Sequence, residues 1–182
     1  LRQAPVFLYK AEAIETTMST RGNHCLLRAL AYDGAPADKK DAAAMRRLRE
    51  RIAEAVLDRR DLELNGKTLE AWVEADAPGM RIDTWAEQYK TTAMMSDQIV
   101  LRVWPLLEGE AVWVWLPVAS AGYELLPAYR FDPPPGAHGG VRHVVYRADE
   151  LHYNALTVQL PVLRRAEARA AASSWPVGLI HM

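Results

Sequence analysis

The apolar residues of this chain change period partway along, and that change constrains the fold more than any other feature. In the first half they recur at helical spacing. Asn23 is read as the cap of a helix from about Cys25 to Tyr32, with Leu26, Ala29 and Leu30 at i, i+3, i+4, ended by Asp33-Gly34 and Pro36. A longer helix is predicted over Asp38 to Asp58, with Met45, Leu48, Ile52 and Val56 on one face and Arg and Glu opposite. Asn65-Gly66 marks a turn and Thr68 to Val73 a short helix, which Ala77-Pro78-Gly79 breaks. Asp83-Thr84 then caps a helix carrying Trp85, Tyr89 and Ala93 or Met94.

The second half reads as strands. Before the helices, Pro5 and the run Val6 to Tyr9 suggest a short opening segment or edge strand. After them, Ile99 to Trp104 is short, partly β-branched and bounded by Pro105, so a strand is expected there. Ala111 to Leu116 and Tyr123 to Leu126 follow, then a loop at Pro133 to Gly140. Val141 to Tyr146 and Leu151 to Leu160, joined by a turn at Arg147 to Glu150, read as a hairpin. A polar-faced helix is predicted at about 163–173. Helices first and strands second predict an α+β fold, the helical half packed on a small mixed or antiparallel sheet.

With 182 residues, half of them hydrophobic and a quarter charged, the chain can bury a core and is read as one domain over 1–182. A net charge of −1 argues against a nucleic-acid partner, which calls for a strongly basic face. The most apolar stretch, Ala111 to Leu126, is interrupted by Pro117, Ser120, Gly122 and Glu124, so no membrane partner is expected. The opening Leu-Arg-Gln has no signal-peptide pattern and reads as the start of a piece cut from something longer. Cys25 is the one cysteine, which leaves no intramolecular disulfide and no zinc finger and suits a reducing, cytoplasmic setting. No cofactor is expected. His138 and His143 lack metal-ligand spacing and are read as surface residues, and no glycine-rich phosphate loop is present.

Two segments carry chemistry. In Gly22-Asn23-His24-Cys25, a glycine-containing turn delivers the cysteine onto the first turn of an apolar helix. The unsatisfied N–H groups and the helix dipole favour a thiolate there, and the turn's N–H groups at Gly22, Asn23, His24 and Cys25 lie where an oxyanion would develop. The alternative is that Cys25 simply packs with Leu26 and Leu30, and this segment alone leaves both readings open. In the second segment, strand alternation puts His152 and Asn154 on one face with Tyr153 on the other. Asn154 can then hold one imidazole nitrogen while the other faces a thiol. Elsewhere blander readings stand. His24 points away from the chemistry, Trp85, Trp104, Trp113 and Trp115 are core rather than a ligand face, and Arg46 to Arg51 is a solvated helix face.

Asn23-His24-Cys25-Leu26-Leu27-Arg28-Ala29-Leu30 resembles the nucleophile segment of the ovarian-tumour (OTU) cysteine proteases, commonly Asp-Gly-Asn-Cys-Leu-Phe-Arg-Ala. His152-Tyr153-Asn154-Ala155-Leu156 is similar to that family's closing motif, and Thr84 to Glu87 followed by Ile99 to Val103 to its middle segments. The resemblance covers about residues 20–162 and departs at two places: the family's Asp three before the Cys is absent, and His24 replaces its Asn. Cys-Leu-Leu is nearer to the divergent OTU-like proteases of plant-virus polyproteins. The resemblance implies a papain-like α+β fold and a thiol-dependent deubiquitinase, with Cys25, His152 and Asn154 catalytic. Its partner would be ubiquitin or a ubiquitin-like protein, the C-terminal tail lying in the active-site channel. It implies two alternatives, a viral polyprotein-processing protease of the same fold and a non-catalytic ubiquitin-binding module. Its setting would be the cytoplasm, or the host's for a virus or a secreted effector.

Overall fold

The computed structural model describes residues 5–19, 23–34, 42–91, 94–95, 97–119 and 121–159. Gly22, Asp38 to Asp41 and the helix expected over 163–173 lie outside them. Strands β1 (Val6–Tyr9) and β2 (Ala13–Thr16) are joined by a 3-10 turn at Lys10–Glu12. Helices α1 (Cys25–Leu30) and α2 (Ala42–Asp58) follow. A ribbon of β3 (Glu63–Leu64) on β4 (Lys67–Thr68) leads into α3 (Leu69–Asp76), whose first turn Thr68 caps by accepting from the Ala71 N–H at 3.1 Å. Then come α4 (Ile82–Thr91) and α5 (Asp97–Glu108). The remaining strands are β5 (Ala111–Val118), β6 (Gly122–Leu125), β7 (Arg130–Phe131), β8 (Val141–Arg147) and β9 (His152–Val158).

The main sheet runs β1-β6-β5-β8-β9-β2, with β7 also on β5. Among the described strands only β5 and β8 pair in parallel, so the sheet is mixed, and β8–β9 is the expected hairpin, with Val145 opposite Asn154. β1 and β2 lie at opposite ends of this order, yet the short turn Lys10–Glu12 joins them. That turn bonds to both flanks, Lys10 N–H to Ala121 O at 3.3 Å and Gln159 N–H to Glu12 O at 3.2 Å. The sheet is thereby curled until its ends meet, which protects two edges that would otherwise offer unpaired backbone.

Strand alternation splits the apolar residues into two cores. Val112, Val114, Val144, Tyr153 and Ala155 pack with the helices, around Leu30, Ile52, Val56, Trp85 and Tyr89. Trp113, Trp115, Val145 and Leu156 fill the inside of the curl with Val6, Leu8, Tyr123 and Leu125. Trp113 and Trp115 are therefore core, as expected.

Three expectations are corrected. Ile99 to Trp104 is part of α5, not a strand. Ile99, Val100, Leu101, Val103 and Trp104 are all buried, so the segment lacks the polar stripe that marks a helix, and β-branching alone misleads. Asp83 does not cap α4 but lies in its first turn, paired with Arg60 at 2.9 Å. His143 is not on the surface. It faces into the curl at 9% exposure, and its Nδ1 accepts from the Trp115 indole N–H at 3.0 Å. Its Nε2 is buried with no hydrogen-bond partner among the described residues, and burial pushes its pKa down to about 4 from 6.5.

That buried imidazole predicts acid lability. Between about pH 6.5 and pH 4 the unfolded chain takes up a proton that folded His143 refuses, so stability is intact above the upper limit and falls as pH drops through the window. His143 alone should remove roughly 3 kcal/mol across it, at about 1.4 kcal/mol per pH unit. Guanidinium unfolding between pH 7 and pH 4.5 checks this. His143→Gln, which keeps an acceptor for Trp115 but cannot titrate, should flatten the decline; an equal slope in both proteins refutes the assignment.

Candidate active site

Cys25 opens α1 and is 7% exposed. The helix is capped by His24 rather than Asn23, with no side-chain cap bond. Asn23 instead adopts a left-handed conformation, φ 51°, which asparagine tolerates better than most residues. The His24 carbonyl already accepts from the Arg28 N–H at 2.8 Å, closing the first helical turn.

α1 packs on β9 and β8. Beyond its C-terminal end the Tyr32 carbonyl accepts from Arg142 Nη1 at 2.9 Å, and a cleft there is lined by Ala29, Tyr32, Thr157 and Val158. The end of α1 thus lies over the end of β9. Cys25 shares its core with Tyr153 and Ala155, on the helix-facing side of β9. His152 and Asn154 alternate with them and by strand alternation fall on the side of Leu156, so alternation by itself does not bring the His152 ring to Cys25. His152 is the first residue of β9, follows the left-handed Leu151 (φ 48°), and is 4% exposed. Its Nε2 is buried and accepts or donates no hydrogen bond among the described residues.

The chain between β2 and α1 is held from several sides. Asn154 Oδ1 accepts from the Met18 N–H at 3.0 Å, and Arg28 Nη1 donates to the Ser19 carbonyl at 2.9 Å. Past the undescribed residues 20–22, Arg49 Nη2 donates to the Asn23 carbonyl at 3.2 Å and Arg49 Nε to His24 Nδ1 at 3.1 Å. Gly22, expected among the oxyanion donors, lies outside the described residues.

Asn154 is fixed in orientation by these contacts. Its Nδ2 donates to Glu15 Oε1 at 2.6 Å, so a flipped amide would set NH₂ against N–H and oxygen against carboxylate. Glu15 also receives both arms of Arg147, at 2.7 and 2.6 Å, and the Tyr123 hydroxyl at 2.9 Å. Burial works to raise the Glu15 pKa, but the Arg147, Asn154 and Tyr123 hydrogen bonds outweigh it and leave it below 4.5. Tyr123, desolvated and donating to that carboxylate, is pushed up to about 12. An aspartate at 154 would face Glu15 as a second carboxylate, which explains why the uncharged amide suits this position.

His24 is also held neutral. Burial first, then the positive charges of Arg49 and Arg28, push it down to about 4, so it supplies no imidazolium beside the thiol.

The sequence pointed to none of Glu15, Met18 or Arg49. Arg49 corrects the reading of Arg46 to Arg51 as a solvated face, since it is 3% exposed. Its signal was present in the spacing, because Met45, Arg49, Ile52 and Val56 stand at i, i+4, i+7, i+11 and share the buried stripe.

No family model and no curated protein matches this sequence. Solved structures do. The Hazara virus OTU bound to ubiquitin superposes with a TM-score of 0.58 at 18% identity, covering 87% of this chain and 91% of that one. The viral OTU domain protease from Qalyub virus gives 0.60 at 11% identity over 86% and 91%. An ovarian-tumour domain in complex with ubiquitin gives 0.52 at 18% identity over 96% and 94%. The order of helices and the curled mixed sheet of this chain are those of the OTU fold.

Proposed function

We propose that this protein is a thiol-dependent deubiquitinase that cleaves after the C-terminal glycine of ubiquitin or a ubiquitin-like modifier. What supports the reading is the lone cysteine at the first position of α1, on a helix that packs against β9, the strand that begins with His152, in a fold whose solved examples include ubiquitin complexes. His152 takes the Cys25 proton, and the thiolate attacks the glycine carbonyl carbon. The resulting oxyanion is held by backbone N–H groups of Gly22, Asn23, His24 and Cys25. Collapse expels the lysine amine, which receives the proton from His152. Water, deprotonated by the same imidazole, then resolves the thioester to a carboxylate and restores the thiol. Asn154 orients the imidazole with the carbonyl lone pair that Met18 leaves open. Being neutral, it stabilises the imidazolium less than an aspartate would.

A second reading, ubiquitin binding without cleavage, is favoured by the burial of both Cys25 and His152. The experiment that separates them uses a ubiquitin probe with a C-terminal electrophile. The native protein should form a covalent adduct, and prior alkylation of the sole cysteine should block it. Binding without an adduct would favour the second reading.

A further inference from the structure

We propose that Arg49 is a positioning residue for this site, locking the turn ahead of Cys25 so that its peptide N–H groups face a developing oxyanion. The inference rests on the thiol-protease reading. Arg49 reaches across from α2, is 3% exposed, and spreads its guanidinium over two sets of acceptors. Nη1 donates to the carbonyls of Tyr89 at 3.1 Å and Met94 at 2.9 Å, and the guanidinium lies 4.5 Å over the Tyr89 ring. These contacts fix it to α4 and the chain just beyond. Nε and Nη2, on another edge of the planar fork, hold His24 Nδ1 and the Asn23 carbonyl.

Two consequences follow for the turn. A trans peptide points its C=O and N–H in opposite directions, so fixing the Asn23 carbonyl on Arg49 aims the His24 N–H away from it. Accepting at Nδ1 also fixes the neutral His24 tautomer with its proton on Nε2. The charged groups acting on that ring are Arg49 from α2 and Arg28 from α1. A lysine cannot reproduce the arrangement, because one ammonium on a flexible stem cannot serve a carbonyl and a ring nitrogen in one plane while anchoring to α4.

Arg49→Lys and Arg49→Met should each lower kcat on a fluorogenic ubiquitin C-terminal amide by about 10²–10³, the usual loss of an oxyanion donor, with KM within about threefold. The Arg49→Met rate should gain a dependence on a group titrating near the ordinary histidine value, removed again by adding His24→Asn. His24→Leu serves as the second variant if Arg49→Met fails to fold; it leaves the α4 anchor alone and should also lower kcat rather than raise KM. Unchanged kcat in folded Arg49→Lys and His24→Leu overturns the proposal, as does a loss confined to KM. If the native protein is inert on the ubiquitin substrate, the deubiquitinase reading fails, and the His24 imidazole titration by NMR decides this one. In Arg49→Met that titration should move up from about 4, because one of the two positive charges that add to the effect of burial is gone; an unmoved one means that Arg49 does not act on His24.

Discussion

Cys25→Ala should abolish adduct formation with the ubiquitin probe, and His152→Ala should lower turnover by about 10⁴ or more while leaving the fold intact. Members of a nucleophile–base pair act as a unit, so losing either removes nearly all of their joint contribution, and the double variant should be no worse than Cys25→Ala. The size of the His152 effect follows from its surroundings. Its Nε2 is buried and bonded to nothing among the described residues. A buried unsatisfied ring nitrogen costs free energy in a resting protein, and a site that later uses it for proton transfer is one setting in which that cost is retained. Thermal unfolding of His152→Ala should therefore show a smaller loss of stability than truncating a buried ring usually brings, because relief of the unsatisfied nitrogen offsets part of the cavity cost. A His152→Ala protein that still turns over within tenfold of the native rate would sink the general-base assignment. Asn154→Ala should hurt differently, because it strips partners from Met18 and Glu15 and so loosens the chain that leads to Cys25.

How much of this was legible from sequence depends on the range of the interactions. Amphipathic helices announce themselves locally, and Met45, Leu48, Ile52 and Val56 in α2 are all buried, as their spacing requires. The β8–β9 hairpin was legible for the same reason, since its strands are adjacent in sequence. α5 was misread because the six residues Ile99 to Trp104 include only one polar side chain, Arg102, so the polar face that Gln98 and Arg102 share was not visible in that window, and Pro105, inside the helix, looked like a boundary. The closing of the sheet by β1 and β2 left no local trace, because β1 pairs with a strand more than a hundred residues further on.

The candidate site divides along the same line. Cys25, His152 and Asn154 stood out as motif residues, whereas the groups that hold their surroundings were invisible. Glu15 sits in an unremarked short strand and acquires its role only when Arg147, Asn154 and Tyr123 converge on it from β8, β9 and β6. Arg49 was hidden by its neighbours. In a run of arginines the eye reads charge, and only the period shows that one of them turns inward. His143 was misplaced because it was judged only on its lack of metal-ligand spacing to His138, while the alternation of β8 carries it onto the Trp113 and Trp115 face.

The largest stability effect is expected far from the thiol, at Trp85. Its side chain is fully buried and stacks on Tyr89 with ring centroids 5.0 Å apart and planes within 8°. Trp85→Ala removes a large ring from a packed layer between α4 and α2 and leaves a cavity that the surrounding helices can only partly fill. The lost transfer and cavity terms for such a change amount to about 3–5 kcal/mol. Against a typical total of about 5–15 kcal/mol, that takes roughly a fifth of the stability or more. Urea unfolding should show a lower midpoint with an unchanged slope, because the surface exposed on unfolding is nearly the same. Trp85→Phe, which keeps a ring against Tyr89, should lose less than half as much. The change should also reach the active site, since the Tyr89 face turned to the guanidinium and the Tyr89 carbonyl are both anchors of Arg49. A loss below about 1 kcal/mol in Trp85→Ala would mean that the α2–α4 layer repacks freely, and the rigidity ascribed to Arg49 would lose its support.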